Sequence, residues 1–315
     1  METLLTESAE TAAAVIRNGG VVAFPTETVY GLGANVFDSD AVCRIFAAKM
    51  RPADNPLIAH ISERGQIESL SRELTPSAER FIEAFFPGPL TIVVRRSDRV
   101  SDVATAGLDT IGIRMPRFEI AHRFITACGV PVVAPSANLS GRPSPTTWEA
   151  VFEDLNGRID CILQGDATEI GLESTVVDCT TDAPKLLRLG SVTLEQLQEV
   201  VPATIAAAIG DMDALRSPGL RHKHYSPRAE VALVSGPSDI SLTADSQTAF
   251  IGISPSGREF GLERICASVD EYAHIVFEFF RECDRQGITA IYCQSVPDTG
   301  LGAALMDRLR RAAEG

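Results

Sequence analysis

Two segments carry the residue types that could do chemistry. Lys49 to His60 reads K-M-R-P-A-D-N-P-L-I-A-H, and Pro135 to Pro145 reads P-S-A-N-L-S-G-R-P-S-P. Together they set cations, amides, hydroxyls and an imidazole on loops stiffened by proline, whose ring fixes φ. Lys49, Arg51, Asn55 and His60 are the candidates in the first segment; Ser136, Asn138, Ser140 and Ser144 are those in the second. Such a surface holds a polyanion. Each feature also has a local explanation. A lysine in the last turn of a helix complements the helix dipole for about 0.3–1 kcal/mol, a histidine among apolar residues is usually a packed group, and Ser, Asn, Gly and Pro populate any turn.

The elements that must position these residues follow from spacing. Ala41, Val42, Ile45 and Phe46 recur at helical intervals behind a cap at Asp38 or Ser39, which places Lys49 in the last turn, and Pro52 bars continuation. The strand 56–61 returns His60 to the same loop. Pro131-Val-Val-Ala-Pro135 reads as a fully buried strand that breaks into Ser136-Ala-Asn138. In α/β proteins ligands sit outside the carboxyl ends of strands. Further strands are predicted at 20–24, 90–94, 110–114, 159–163, 174–179 and 185–189, with 25–33 as a loop. Helices are predicted from Thr75-Pro76 through Phe86, where proline suits the first helical position, near 118–127 and 147–155, and from Thr193 toward Ile209. Strands without a helix after each one imply a mixed sheet.

Beyond it, Arg216-Ser-Pro-Gly-Leu-Arg-His-Lys-His-Tyr-Ser-Pro-Arg228 contains no acid and no helical period, so it reads as a connector. Its cations and Tyr225 predict that it lies across a cleft. Strands at 230–234, 248–253 and 288–294 then alternate with helices at 269–285 and 302–313, the pattern of a small, largely parallel α/β unit. The expected division is 1–209, a connector over 210–229, and 230–315. A length of 315 residues fits about two domains.

Composition narrows the function. A net charge of −14 argues against a general nucleic-acid binder. Against that background Arg44/Lys49/Arg51, Arg114/Arg117 and Arg216/Arg221/Lys223/Arg228 stand out, which points to a small anion held in a cleft. Seven cysteines, scattered and without a C-x-x-C pair, fit neither a disulfide framework nor a zinc site, and suit the cytoplasm. The acidic start lacks the positive charge of a signal peptide, and no apolar run approaches the roughly 18 residues of a membrane span. G-x-x-x-x-G-K-[ST], G-x-G-x-x-G and G-x-S-x-G are all missing, so phosphate binding cannot rest on those loops.

Read in order, Pro25-Thr-Glu-Thr-Val-Tyr-Gly-Leu-Gly33, Lys49-x-Arg51, Ser136-x-Asn138, Leu172-Glu-Ser-Thr-Val-Val-Asp178 and Ser217-Pro-Gly-Leu-Arg-His-Lys-His-Tyr225 closely resemble the threonylcarbamoyl-AMP synthase family in its two-domain form. The resemblance runs essentially the whole length. Leu220 replaces an expected methionine. Membership implies a YrdC-like mixed twisted sheet with helices, followed by a smaller Rossmann-like α/β domain. It implies a nucleotidyltransferase that converts L-threonine, bicarbonate or CO₂, and ATP into threonylcarbamoyl-AMP and pyrophosphate, for the tRNA modification threonylcarbamoyladenosine.

By the same resemblance Thr28, His60, Arg114, Ala134 and Ser174 hold threonine. Arg51, Asn55, Thr110, Ser136, Asn138, Ser144, Arg188 and Tyr225 surround ATP, and Lys49 and Arg51 stabilise charge on the transferring phosphoryl group. Mg²⁺ is expected on the phosphates, with no dedicated carboxylate cage. A downstream tRNA-modifying transferase is the implied partner; stable nucleic-acid or membrane binding is not expected. The competing readings are an RNA-binding module of the same fold, and another ATP-dependent carbamoyl- or acyl-adenylate enzyme.

Overall fold

The computed structural model describes residues 2–207, 225–236, 239–240 and 246–314. Most of the expected connector, residues 210–224, lies outside them. Eleven of the described strands form one sheet in the order Leu4–Thr6, Cys161–Leu163, Val22–Phe24, Gly31–Asn35, Val132–Ala134, Ile58–His60, Thr110–Arg114, Leu90–Arg95, Thr175–Asp178, Lys185–Arg188, Ile205–Ala206. Its neighbours are both parallel and antiparallel, so the mixed sheet expected from sequence is the one formed.

Alternation explains how the sheet is buried. Ala23 and Val133 join a large core on one face, while their chain neighbours Val22, Phe24, Val132 and Ala134 join a second core on the other. Side chains along a strand point to opposite faces, so a run that is apolar at every position needs cover on both. Helices Ala9–Arg17 and Glu119–Cys128 supply it on one side; Ser39–Lys49 and Pro76–Phe85 supply it on the other. Three helix starts, at Ser39, Pro76 and Trp148, fall at the caps or first residues that the sequence predicts. Asp38, Thr75 and Thr147 each accept a hydrogen bond from the backbone N–H three residues on, which satisfies a donor the helix leaves open.

The second sheet runs Glu230–Val234, Ala290–Gln294, Thr248–Gly252, Leu262–Ile265, every pair parallel. Helices Val269–Gln286 and Leu301–Ala313 bury Phe277, Phe280, Leu305 and Leu309 in its core. That core also takes in Leu172 and Tyr225, so it is continuous with the segments leading to and from the first sheet. Gly171 makes the approach possible. It has φ +81°, and a Cβ there would stand 2.2 Å from the carbonyl oxygen of His274.

Three expectations need correction. The helix from Thr193 stops at Val200, because a residue before proline, here Val201, is pushed out of the helical region; the chain then pairs Ile205–Ala206 with Lys185–Leu186. The loop 25–33 ends early, since Gly31–Asn35 pairs as a strand with Val22–Phe24. The segments Leu4–Thr6, Ala9–Arg17 and Leu262–Ile265 were not anticipated, although Ser8 and the spacing of Ala9, Ala12, Ala13 and Ile16 are a legible helix signal.

Candidate active site

Helix Ser39–Lys49 ends where Met50 adopts φ +53°, and Lys49 in its last turn lies on the buried face. Lys49 is 1% exposed. Its Nζ donates to the carbonyls of Ser136 and Asn138, each at 2.5 Å, so it clamps the two signature segments together from behind. Burial, with Arg51 adding to it, drives its pKa well below the ordinary lysine value. Arg51 faces the cleft instead. Its Nη2 donates to the carbonyls of Asn55 (3.2 Å) and Pro56 (3.4 Å), while its buried Nε has no hydrogen-bond partner among the described residues. Burial lowers its pKa to about 10, which leaves it charged at neutral pH.

The cleft is narrow and closely lined, with an accessible volume of about 60 Å³. Into it the structure brings Thr28, Arg51, His60, Arg114, Ala134, Ser136, Asn138, Ser144, Ser174, Arg188 and Tyr225. Four arginines (51, 114, 142 and 188) line it against one carboxylate, Glu173. In a chain of net charge −14 this is a focused positive field. Arg44 is not part of it; it pairs with Asp160 at 2.6 Å. Arg117 likewise pairs with Glu169 at 2.6 Å, so two of the sequence-level cation clusters are thinner in space than in the chain. Four candidates lie outside the lining, among them Ser140, which is exposed and donates its N–H to the Lys49 carbonyl at 2.9 Å. Lys49 and Asn55 stand behind Arg51, and Thr110 begins the strand that ends at Arg114, about 13 Å away at roughly 3.3 Å per residue.

On one side of the cleft, strand ends carry the polar groups. Arg114 Nη1 donates to Thr28 Oγ1 at 2.7 Å, its Nε to the Gly88 carbonyl at 3.3 Å, and its Nη2 lies 2.8 Å from Glu27 Oε1. Glu27 is fully buried and neutralises the guanidinium without touching the cleft. Ser174 Oγ shares a hydrogen bond with Thr91 Oγ1 (2.8 Å) and accepts one from Arg188 Nη2 (3.1 Å). His60 packs edge-on against Phe24 with its Nδ1 3.1 Å from the Ile58 carbonyl. Burial first, and Arg114 second, push its pKa down to about 3, so it is a neutral imidazole at physiological pH. Ala134 and Gly31 keep the floor low, since a Cβ on Gly31 would meet Phe24 and Ala134 at 3.2 and 3.3 Å.

Loops build the other side. Ser136 Oγ donates to Asn138 Oδ1 (2.6 Å), and Asn138 Nδ2 donates to the carbonyls of Leu139 and Arg142, which closes the turn. Ser144 Oγ donates to Glu173 Oε1 at 2.5 Å. Burial raises the Glu173 pKa, but Arg308, Arg188 and the Ser144 hydroxyl outweigh it and hold the carboxyl below its ordinary value. Tyr225 stacks on Phe277 with ring centroids 5.3 Å apart.

Sequence reading missed Thr26, Glu27, Arg142 and Glu173. All four lie inside or beside motifs it quoted, and Glu173, an acid within an otherwise apolar and hydroxyl run, was the visible signal. It also missed Arg281 and Arg308, whose signal was a cation on the apolar stripe of a helix. Among the described residues no group of three or more His, Cys, Asp or Glu could hold a metal ion.

Comparison with known proteins adds to this geometry. Residues 14–190 match a family model covering the Sua5, YciO and YrdC proteins and described as telomere recombination, and residues 192–314 match one described as threonylcarbamoyl-AMP synthase, C-terminal domain. The chain is 44% identical to the threonylcarbamoyl-AMP synthase of Pyrococcus abyssi over 96% of its own length and 93% of that protein. It is 41% identical to that of Bacillus subtilis over 96% and 92%. The crystal structure of P. abyssi Sua5 complexed with L-threonine superposes with a TM-score of 0.93 at 41% identity, covering 100% of this chain and 98% of that one.

Proposed function

This chain belongs to the threonylcarbamoyl-AMP synthase family and forms threonylcarbamoyl-AMP and pyrophosphate from L-threonine, bicarbonate or CO₂, and ATP; we propose that it does so in the cleft between Arg114 and Ser144. One observation supports the placement: Arg51, Arg114 and Arg188 with hydroxyls and an amide scattered from Thr28 to Tyr225 line a single cavity.

Arg114 takes the threonine carboxylate. A guanidinium fork matches a carboxylate bidentately, as an ammonium cannot, and Glu27 and Thr28 fix its plane. Thr28 and Ser174 read the substrate hydroxyl; polar readout of this kind rejects analogues lacking the group far better than an apolar wall does. His60, being neutral, contributes a hydrogen bond without placing a second charge beside the amine. That amine captures CO₂ and loses a proton to give an N-carboxylate. A carbamate oxygen then attacks the α-phosphorus, and the bond to the β-phosphate oxygen breaks to release pyrophosphate. Negative charge grows on the phosphoryl and leaving oxygens, so the protein's part is positioning and cation stabilisation.

Arg51 and Arg188 serve that purpose directly, with Ser136, Asn138 and Ser144 placing the phosphates and Tyr225 flanking the nucleotide. Lys49 acts from behind by holding the loop carbonyls. Asn55 steadies Arg51 through its carbonyl, and Thr110 anchors the far end of the Arg114 strand. Mg²⁺ suits this site only as a passenger on the nucleotide. Glu173, the lining's one carboxylate, already accepts from Ser144 and Arg308, so phosphate oxygens and water would fill the coordination shell; the ion would supply charge neutralisation on the triphosphate.

The product is a reactive mixed anhydride, so a tRNA-modifying threonylcarbamoyl transferase must consume it. A cytoplasmic location is supported by seven free cysteines, six of them buried; among the described residues no helix is long and apolar enough to cross a membrane. Mass spectrometry of the product formed from ATP, threonine and ¹³C-bicarbonate tests the assignment. The label is expected in an adduct of threonine and AMP, with pyrophosphate release requiring both co-substrates. Release that proceeds without threonine overturns it.

A further inference from the structure

Among the described residues the two largest fully buried side chains are arginines, Arg281 and Arg308, and both extend from helices of the second sheet toward the cleft of the first. Arg308 Nε donates to Glu173 Oε2 at 2.9 Å, its Nη2 to the carbonyl of Leu189 at 2.9 Å, and its Nη1 to Asp307 Oδ2 at 2.5 Å. Its guanidinium carbon stands 5.2 Å from the centroid of the Tyr225 ring. One side chain thus touches a lining carboxylate, a lining aromatic ring and the backbone next to the lining residue Arg188. Through Glu173 it also sets the Ser144 hydroxyl. Arg281 works on the same residue from the opposite direction: its Nη2 donates to the carbonyl of Pro143 at 2.6 Å and to Asp154 Oδ2 at 2.9 Å. Asp154 in turn accepts from Leu139 N and Arg142. Ser144 is therefore held between two arginines that belong to neither its own loop nor its own sheet.

We propose that Arg308 is a positioning residue for the nucleotide half of the cleft, acting through Glu173, Ser144 and Tyr225, and that it couples docking of the second sheet to ATP binding and not to threonine binding. The Arg114 half meets it only indirectly, where Arg308 binds the Leu189 carbonyl beside Arg188. Thr28, Arg114 and Ser174 draw their partners from Glu27, Gly88, Thr91 and Arg188, all in the first sheet or its loops. Removing Arg308 leaves Glu173 buried beside Arg188 without its main counter-charge, and a buried carboxylate that has lost its partner moves or protonates. Ser144 and the Tyr225 ring then lose their set positions, while Arg114 keeps its bonds to Glu27, Thr28 and Gly88, and Ser174 keeps its bond to Thr91.

The inference rests on the function proposed above, and the test separates the two. In the full chain, Arg308→Gln is expected to raise the KM for ATP about tenfold, the loss of one charge-assisted hydrogen bond, with the threonine Kd measured by calorimetry within about twofold of the parent. Arg308→Lys, which keeps charge without the fork, is expected to fall between. Glu173→Gln should reproduce the ATP effect, and the double variant should be no worse than Arg308→Gln alone, because both break one link. Arg310→Gln, which loses only an exposed pair with Asp298, is the control and should match the parent. If Arg308→Gln does not fold, Glu173→Gln carries the test with the same two readouts. An unchanged ATP KM, equal losses for ATP and threonine, or additive effects in the double variant overturn the coupling. A parent protein that binds neither substrate overturns the functional reading instead.

Discussion

The Arg114 side and the Ser144 side of the cleft solve the same problem by different means. Around Arg114 the functional groups ride on strands such as Thr110–Arg114 or on the short loops that join them, and are locked by neighbours from the same sheet and its loops. Around Ser144 the groups ride on loops, and the stiffness that a sheet would provide comes from Arg281 and Arg308, reaching in from another layer. An amino acid with one fixed set of charges can be met by a preformed wall. On the proposed assignment the larger triphosphate falls to the Ser144 side, whose loops need cross-links that a local hydrogen-bond pattern cannot supply.

The sharpest way to break this comparison is Arg114→Ala. It leaves Glu27 buried and uncompensated, which should cost about 3–5 kcal/mol of stability and abolish threonine binding; thermal unfolding and calorimetry would register both, and a variant that still binds threonine would remove the wall from the argument. Lys49→Ala comes next. Two buried loop carbonyls lose their donor, a penalty of about 1–3 kcal/mol, and turnover should fall sharply with threonine affinity preserved, as stopped assays of pyrophosphate release against threonine titrations would reveal. A loss of threonine binding equal to the loss of turnover would contradict a role confined to the loops.

Acid should act on both sides in the same direction. His60 has a folded pKa near 3 against an ordinary 6.5, so the unfolded chain binds the extra proton first and stability falls as pH drops from about 6.5 toward 3. The Glu173 carboxyl, held low, adds stability that is present above its unfolded value and is lost as pH falls through the folded one. His60→Asn should flatten the upper part of that decline in denaturant unfolding measured between pH 7 and 4; an identical slope would show that His60 is not buried neutral. The smallest effect belongs to Arg44→Gln. Its pair with Asp160 is partly exposed, worth less than about 1 kcal/mol, and neither substrate's affinity should change.

Much of this was legible beforehand. The cap at Asp38, the stop after Lys49, the buried run 131–135 and the parallel second sheet all follow from interactions within a few residues. Most of the proposed site residues came from the family resemblance and not from spacing, and the cleft gathers eleven of them into one lining. Lys49 marks the boundary. Its sequence position fitted a residue that touches phosphate, yet its ammonium faces Ser136 and Asn138, 87 and 89 residues away. Arg44 and Arg117 mark it from the other side, since adjacency in the chain did not place them in the cleft.

By itself, then, the amino-acid order determined which segments become strands and helices, where they end, and which side chains were available to meet an anion, since steric limits and hydrophobic periodicity act over neighbouring residues. Only the tertiary structure decided which cations line the cleft and which brace its walls. Arg308 and Glu173 stand 135 residues apart, and their meeting depends on how two sheets pack, a matter of burial and shape that no local pattern encodes.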